Sequence, residues 1–303
     1  MLLKDILVCL DPTDAGEARL RLAAGLASEH HAHLSAAYIL PEQIAGAGIA
    51  GYDGLGFHAP SESATVAEGS LVAGVPAPAA PPAARGDYAR RLELTDMVQQ
   101  RFRETLQLDG ISGGEWQLFG AGESEDLLAV ARSADLVIYP QGSAEYRLPV
   151  GFGAEDLVVA AGRPILVVPH RAEFAVLGRR VLVAWDGSRE AARAAHDALP
   201  LLHKAELVML LTVSGSEADF ERDRPGLERM LKSYERHGIA ARAEEALPDG
   251  HAISDVLLSR AANFGTDLIV AGAYHHSRLR ESVFGGVTRD LLERMPVPLL
   301  LSH

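Results

Sequence analysis

The chain has a single cysteine, Cys9, and few aromatic residues, which make up 6% of its 303 positions. One cysteine allows neither a disulfide framework within the chain nor a cysteine-based metal site. Because Cys9 lies in the apolar run 6–10, we expect an inert core thiol instead of a nucleophile. No stretch approaches the ~18 apolar residues of a membrane span, and the first residues run directly into a predicted strand instead of a signal peptide. We therefore predict a cytosolic protein without a membrane partner.

Basic residues are also scarce, since 28 Lys and Arg stand against 41 Asp and Glu, a formal net charge of −13. Clustered Lys and Arg supply most of the non-specific affinity for nucleic acids, so we expect no nucleic-acid partner. Residues 1–174 hold 12 basic and 23 acidic side chains, whereas residues 175–303 hold 16 and 18. A small polyanion should therefore prefer the second half of the chain.

The chain does contain one pattern of strands and turns twice. Asp11 and Asp186 each follow an apolar run, and Pro164 and Pro298 each open a final apolar strand. With 48% hydrophobic residues, the chain is able to bury two cores of ordinary domain size. We predict a degenerate domain over residues 1–172 and a second domain over residues 178–303.

An insertion distinguishes the first half from the second. It is predicted at about residues 41–86, between the second and fourth strands, and it is rich in Gly, Ala, Pro and Ser. Its proline content and lack of periodicity favour a long excursion or disordered loop over an added domain. A lid or a dimer arm stays open as its role.

The second half alternates apolar strands with helical patterns, beginning with a strand at 181–185, a helix at 190–202 and a strand at 207–213. Strands that are apolar throughout indicate a parallel sheet covered by helices on both faces. We therefore predict an α/β fold with two tandem, doubly wound, mostly parallel five-stranded sheets. The last strand, 298–301, is apolar enough to pair across a two-fold axis in a homodimer or with the first half of the same chain.

Ligands of such sheets bind beyond the carboxyl ends of the strands, where the strand order reverses. In the second half this rule selects Asp186, Val213 and the loop 272–288. The loop holds Gly285 and Gly286 directly before a predicted helix. Glycines let the backbone approach a phosphate, and a helix N-terminus attracts an anion, although tight turns alone would also explain these glycines.

These features resemble the universal stress protein family. The resemblance rests on the Asp186 turn, the segment 267–272, the helix start at 285–288 and the proline-led final strand. It covers nearly all of residues 178–303 and, more weakly, 1–172, so the chain looks like a tandem member with the adenine nucleotide alpha-hydrolase-like fold. The resemblance implies a cytosolic stress-response protein whose second domain binds ATP or another adenine nucleotide as a regulatory module.

The resemblance also implies which residues contact the nucleotide. Asp186 would meet the adenine, and Ala184 and Val213 would line the base pocket. The other candidate cofactor-binding residues, toward the ribose and phosphates, are Ala271, Gly272, His275, Gly285, Gly286, Val287 and Thr288.

Two of these residues depart from the family's loop pattern, which is a Gly, two residues, a Gly, nine residues, a Gly, then Ser or Thr. His275 stands at the second glycine, where its imidazole would either close the pocket or donate a hydrogen bond to a phosphate. Gly286 replaces the hydroxyl residue and loses a neutral hydrogen bond worth about 1 kcal/mol.

The first half lacks such a loop. Pro140 replaces the first loop glycine and offers no N–H to a phosphate, and Glu155 and Asp156 would repel a polyanion. We interpret this half as a structural or dimerising partner, or as a pocket for something other than ATP.

No catalytic residue can be assigned. The twelve histidines lack a carboxylate pattern of known ligand spacing, so no metal site is predicted, and no nucleophile-elbow motif is present. Besides a binding module, two alternatives stay open: a nucleotide-free interaction scaffold of the same fold, and a slow ATPase or adenylyl-transfer enzyme, which the missing base makes the least favoured.

Overall fold

The computed structural model describes residues 2–40, 82–120, 123–142, 153–170, 177–273 and 286–303. The predicted insertion lies outside these residues except for positions 82–86, which form the start of a helix. None of the described helices is long and apolar enough to cross a bilayer.

The first half follows a strand–helix alternation. Its elements are β1 (Asp5–Leu10), α1 (Asp14–His30), β2 (His33–Ile39), α2 (Pro82–Leu108), β3 (Gly114–Phe119), α3 (Ser124–Ser133), β4 (Leu136–Pro140), α4 (Ala154–Ala161) and β5 (Ile165–Val168). Thr13 caps α1 by accepting a hydrogen bond from the Gly16 amide at 3.0 Å.

The second half repeats the alternation. Its elements are β6 (Arg180–Ala184), α5 (Arg189–Asp197), α6 (Leu199–Leu202), β7 (Leu207–Val213), α7 (Glu217–Arg236), β8 (Ala241–Ala246), α8 (Ile253–Phe264), β9 (Leu268–Gly272), α9 (Gly286–Arg294) and β10 (Leu299–Ser302). The predicted helix 190–202 is divided at Ala198, because Pro200 in the first turn of α6 cannot continue the hydrogen-bond ladder of α5.

All ten strands form one sheet in the order β3-β2-β1-β4-β5-β10-β9-β6-β7-β8. Each half contributes five strands in the same internal order, and their pairing is parallel throughout. The strand order therefore reverses between β1 and β4 in the first half and between β6 and β9 in the second. This architecture confirms the predicted doubly wound α/β fold.

The two halves are joined by an antiparallel pair, β5 with β10, in which Leu166 lies opposite Leu300. Of the two predicted uses of the last strand, pairing within the chain is the one found. The two five-stranded sheets thus become one, and a homodimer, which stays a prediction, requires a different surface.

The hydrophobic core consists of two clusters, and each of them contains residues from both halves of the chain. One buried cluster covers one face and includes Leu166 and Leu300, and the other includes Val167 and Leu299. All four of these side chains are fully buried. Because each cluster draws residues from both halves, the two cores lie on the two faces of the sheet and not one in each half.

Two equivalent aspartates show how closely the halves correspond. Asp135 accepts hydrogen bonds from the Lys4 amide at 2.7 Å and the Asp5 amide at 3.2 Å, where β1 begins. Asp267 accepts from the Gly178 amide at 2.9 Å and from the amide that follows it at 3.0 Å, just before β6. Asp267 therefore has a structural role, since it holds the chain in place just before β6.

Cys9 lies in β1 and is fully buried, as predicted. Burial raises the pKa of its thiol to about 12, so the thiolate is not populated at neutral pH. The side chain serves as a small apolar core residue.

Candidate functional site

The candidate site of the second half lies where β6 and β9 separate. The ladder between these strands runs from Val181 opposite Leu268 to Val183 opposite Val270 and ends there. Beyond it, β6 continues to pair only with β7, and the Trp185 amide donates to the Leu211 carbonyl at 2.9 Å. The two strands therefore separate on the β9 side of residues 184–186, at the carboxyl edge of the sheet, where ligands of such sheets bind, and we call this place the crevice.

Asp186 stands at the mouth of this crevice. One carboxylate oxygen accepts a hydrogen bond from the Ser188 amide at 2.9 Å, and Ser188 in turn caps α5 by accepting from the Ala191 amide at 3.0 Å. Gly187 has a φ of +75°, which lets the chain turn between them. The turn positions Asp186, yet the side chain stays exposed to solvent.

Apolar side chains lie on one face of the sheet at the same carboxyl edge. Ala184, Val213 and Val287 are partly buried and pack against the same cluster, to which the buried Ala271 belongs. Leu247 and Ile253, next to the end of β8 and at the start of α8, are 39% and 42% exposed. The carboxyl edge of β6, β7 and β8 thus presents an open apolar surface beside a carboxylate.

Gly272 has a packing role that the loop pattern did not reveal. A Cβ at this position would lie 2.5 Å from the Ala191 nitrogen and 2.6 Å from the Glu190 carbonyl carbon. The end of β9 therefore approaches the first turn of α5 so closely that only glycine fits. This contact explains the residue without a phosphate.

Glu190 is a site residue that the sequence analysis missed. It lies in the first turn of α5 beside Gly272, is 3% exposed, and its Oε1 is 2.5 Å from the Arg189 Nε. A glutamate in a first helical turn is common because it complements the helix dipole, so its burial left no signal in the sequence. Asp186 makes this end of the crevice acidic, whereas the charge of Glu190 is offset by Arg189.

The helix α9 begins at Gly286 and has Thr288 buried in its first turn. Its position is fixed from both sides. Ser254 donates to Asp290 at 2.8 Å from α8, and the Gln141 side-chain amide of the first half donates to the Leu292 carbonyl at 2.7 Å. The helix is therefore attached to both α8 and the first half, while His275 and Gly285 lie outside the described residues.

Comparisons with known proteins match the second half of the chain to a known family. Residues 178–303 match the model of the universal stress protein family. These residues form a universal stress protein domain. The curated Universal stress protein Slr1230 of Synechocystis sp. (strain ATCC 27184 / PCC 6803 / Kazusa) is 24% identical over 175 residues, which are 58% of this chain. The chain spans 57% of the length of that relative.

Solved structures resemble the whole chain. A universal stress protein from Archaeoglobus fulgidus DSM 4304 aligns with a TM-score of 0.63 at 13% identity, covering 98% of this chain and 97% of that one. A functionally unknown protein from Pseudomonas aeruginosa PAO1 aligns with a TM-score of 0.57 at 13% identity, covering 99% and 92%. These similarities extend the fold to the first half, consistent with a tandem arrangement.

The first half differs from the universal stress protein domain at the corresponding crevice. Asp11 is 2% exposed, and its Oδ2 forms an ion pair with the fully buried Nη2 of Arg19. The Arg19 Nε also donates to the Cys9 carbonyl at 2.7 Å, beyond the last pair of β1 and β4. The guanidinium thus fills the place where the two strands separate.

The equivalent position in the universal stress protein domain is an alanine. Thr13 and Ser188 cap α1 and α5 in the same way, so the two helices share one register. In that register Arg19 corresponds to Ala194, which is fully buried but has no side chain to reach the crevice. The Asp186 carboxylate is exposed for this reason, whereas the Asp11 carboxylate is buried in its ion pair with Arg19.

The sequence analysis missed Arg19 and described Asp11 only as lacking a phosphate loop. The available signal was an arginine at an inward position of α1, between buried residues. In the part of the chain that the structure describes, no group of three or more His, Cys, Asp or Glu side chains is placed to hold a metal ion.

Proposed function

We propose that the universal stress protein domain binds an adenine nucleotide, ATP in the first instance, at the carboxyl edge of β6, β7 and β9, and that binding makes it a regulatory module of a stress response. One observation carries the proposal. Asp186 is exposed beside Ala184 and Val213 at the reversal of strand order, while the equivalent Asp11 is closed off by Arg19.

The base is the part of the nucleotide that fits the acidic end of the crevice. Adenine is uncharged, its faces are apolar, and its exocyclic amino group donates hydrogen bonds. Ala184, Val213 and Ile253 offer apolar contacts to the ring, and the exposed Asp186 carboxylate accepts from the amino group. A hydrogen bond to a charged group contributes about 1.5–3 kcal/mol.

The phosphates fit the other end. The exposed Asp186 carboxylate repels a polyanion, which directs it toward the N-terminus of α9. There the amides of Gly286 and Val287 lie in the first turn, whose N–H groups have no partner within the helix, and the helix dipole favours negative charge. Hydrogen bonds at Asp290 and Leu292 hold α9 against α8 and the first half.

We propose binding without catalysis, because each carboxylate of the crevice has another role in this proposal. Asp186 accepts from the Ser188 amide through one oxygen and from the adenine amino group through the other, and Glu190 is buried and paired with Arg189. Neither is assigned as a general base. Binding would be reported to partners through the shape of the domain.

The replacement Asp186→Asn tests the base contact. The amide keeps an oxygen for the Ser188 amide but loses the charge, so we expect ATP to bind about tenfold more weakly, as for the loss of a charge-assisted hydrogen bond. The measurement is calorimetric titration of the full chain with ATP and with AMP, and both nucleotides should weaken alike because they share the base.

Asp249→Asn is the matched control. Asp249 is also an exposed aspartate in a turn after a strand of this domain, and its φ of +46° is one that asparagine adopts readily. The Asp249→Asn variant should bind ATP and AMP with the affinity of the unaltered chain. If Asp186→Asn binds like this control, the base contact is wrong, and if the unaltered chain binds neither nucleotide, the interaction scaffold takes the place of this proposal. Phosphate release that disappears in Asp186→Asn would point to the ATPase.

A further inference from the structure

A cleft of about 470 Å³ lies between the two halves, away from the candidate nucleotide site. One wall is the C-terminal part of α1, and the other is formed by residues that precede β6 and β7. The nucleotide site follows the same two strands. Since β6 has five residues at about 3.3 Å each, a strand's length separates the two places.

Apolar and charged side chains from both halves line the cleft. Leu22 and Leu26 line it from α1, and Leu177 and Leu201 line it from the second half. Small-molecule sites favour concave clefts between domains, where apolar side chains lie beside a few polar groups. The volume is in the range that holds a drug-sized molecule.

Charged groups surround this interior. Three cations, Arg21, Arg179 and Lys204, and two carboxylates, Glu29 and Glu206, line the cleft. Lys204 lies 2.9 Å from Glu29, Arg179 lies 3.2 Å from Glu206, and Arg21 lies 2.7 Å from Glu17 outside the cleft. These pairs are partly exposed, and exposed pairs are weak, so an anion is able to compete for the cations.

Gly25 leaves the middle of the α1 wall bare. It lies inside the helix between Arg21 and Glu29, and a Cβ added to it would have no atom within 4 Å. Glycine is unfavourable in a helix interior, and here no neighbouring atom requires it. The missing side chain widens the cleft.

His30 gives a second sign that the cleft is incomplete. It lines the cleft, is fully buried, and neither ring nitrogen has a hydrogen-bond partner among the described residues. Its ring meets that of His203 edge-on, with 5.6 Å between centroids. Burial lowers the pKa of the His30 imidazole, with Glu29 opposing and Lys204 and His203 reinforcing this effect. The ring is therefore neutral at pH 7, with one donor and one acceptor unsatisfied.

We propose that the interdomain cleft is a second ligand site, which binds a small organic anion with an apolar body and a single anionic group. The body packs against Leu26, Leu177 and Leu201, and the anionic group lies toward Arg179 and Lys204. Because the two walls belong to different halves, the ligand bridges them. The site is independent of the proposed nucleotide function.

The probe for the test is 8-anilinonaphthalene-1-sulfonate, an apolar ring system with one sulfonate whose fluorescence rises in apolar surroundings. Gly25→Phe fills the bare wall, so we expect it to weaken binding of the probe to the full chain about tenfold, since the cleft no longer has room. Saturating ATP is present throughout, so that binding at the nucleotide edge is suppressed.

Gly226→Phe is the matched control, since Gly226 also lies inside a helix with no atom within 4 Å of an added Cβ and does not line the cleft. It should bind the probe like the unaltered chain. Equal affinities of the two phenylalanine variants would overturn the proposal. The far-ultraviolet circular dichroism spectrum checks that both variants fold.

The charge of the ligand is tested separately. Arg179→Gln should weaken the sulfonate probe about threefold, as for loss of an exposed ionic contact, and leave the uncharged N-phenyl-1-naphthylamine unaffected. An equal effect on both probes, or none on either, would overturn the choice of an anion. The comparison of the two probes on Arg179→Gln tests the proposed site even if Gly25→Phe does not fold.

Discussion

Replacement of Arg19 by alanine is expected to lower the free energy of unfolding by about 3–5 kcal/mol, because the buried Asp11 carboxylate then loses the cation with which it is paired. The side chains of Arg19 and Asp11 are both fully buried. The variant also loses the hydrogen bond to the Cys9 carbonyl. Urea unfolding of the full chain at pH 7, followed by circular dichroism, measures the change.

Two further variants make the result specific. Arg21→Ala removes an exposed ion pair with Glu17 one turn away in the same helix and should cost less than about 1 kcal/mol. The double replacement Asp11→Asn with Arg19→Met removes both charges and should recover part of the stability, since no uncompensated charge stays buried. The account of the first crevice fails if Arg19→Ala is no more destabilising than Arg21→Ala.

Leu300→Ala is expected to cost about 2–5 kcal/mol, the range for a buried leucine truncated in a well-packed core. Leu300 is fully buried in β10, opposite Leu166 of the other half. Because its cluster contains residues of both halves, we expect scanning calorimetry to show one unfolding transition that moves as a whole to lower temperature.

Leu108→Ala is the control for this prediction. Leu108 ends α2 and is 86% exposed, so its truncation should change stability by less than about 0.5 kcal/mol. Two separate transitions, with only one of them moved by Leu300→Ala, would show that the halves unfold independently and that the shared core does not couple them.

Most of the fold was predictable because the apolar strands carry a strong local pattern. The strand Leu207–Val213 was predicted with its observed bounds, and the parallel, doubly wound arrangement follows from strands that are apolar throughout. The partner of β10 was not predictable, because an apolar strand pairs equally well with another chain or with its own. Only the structure shows the pair with β5.

The candidate site was predictable in position but not in electrostatics. The strand-edge rule selected Asp186 and Val213, and the family resemblance added Ala184. In the structure Ala184 and Val213 end β6 and β7, and Asp186 follows two residues after Ala184. The burial of Arg19 and Glu190 depends on how α1 and α5 pack on the sheet, and the local sequence signals it only for Arg19, through its inward position in α1. The same packing explains Gly272, for which the family's loop pattern had implied a contact with the ribose or phosphates.

The difference between the halves now rests mainly on one pair of equivalent positions, Arg19 and Ala194. An arginine at the first closes a crevice that an alanine at the second leaves open. The proposed single nucleotide per chain follows from this difference, together with the glycine-bearing start of α9.

Hydrogen exchange of the full chain with and without saturating ATP tests this asymmetry most directly. We predict slower exchange of the amides at 186–191 and at the start of α9 when ATP is bound, and no change at the equivalent first-half turn, 11–16. Protection of the first-half turn, or the absence of protection at both turns, would contradict the account.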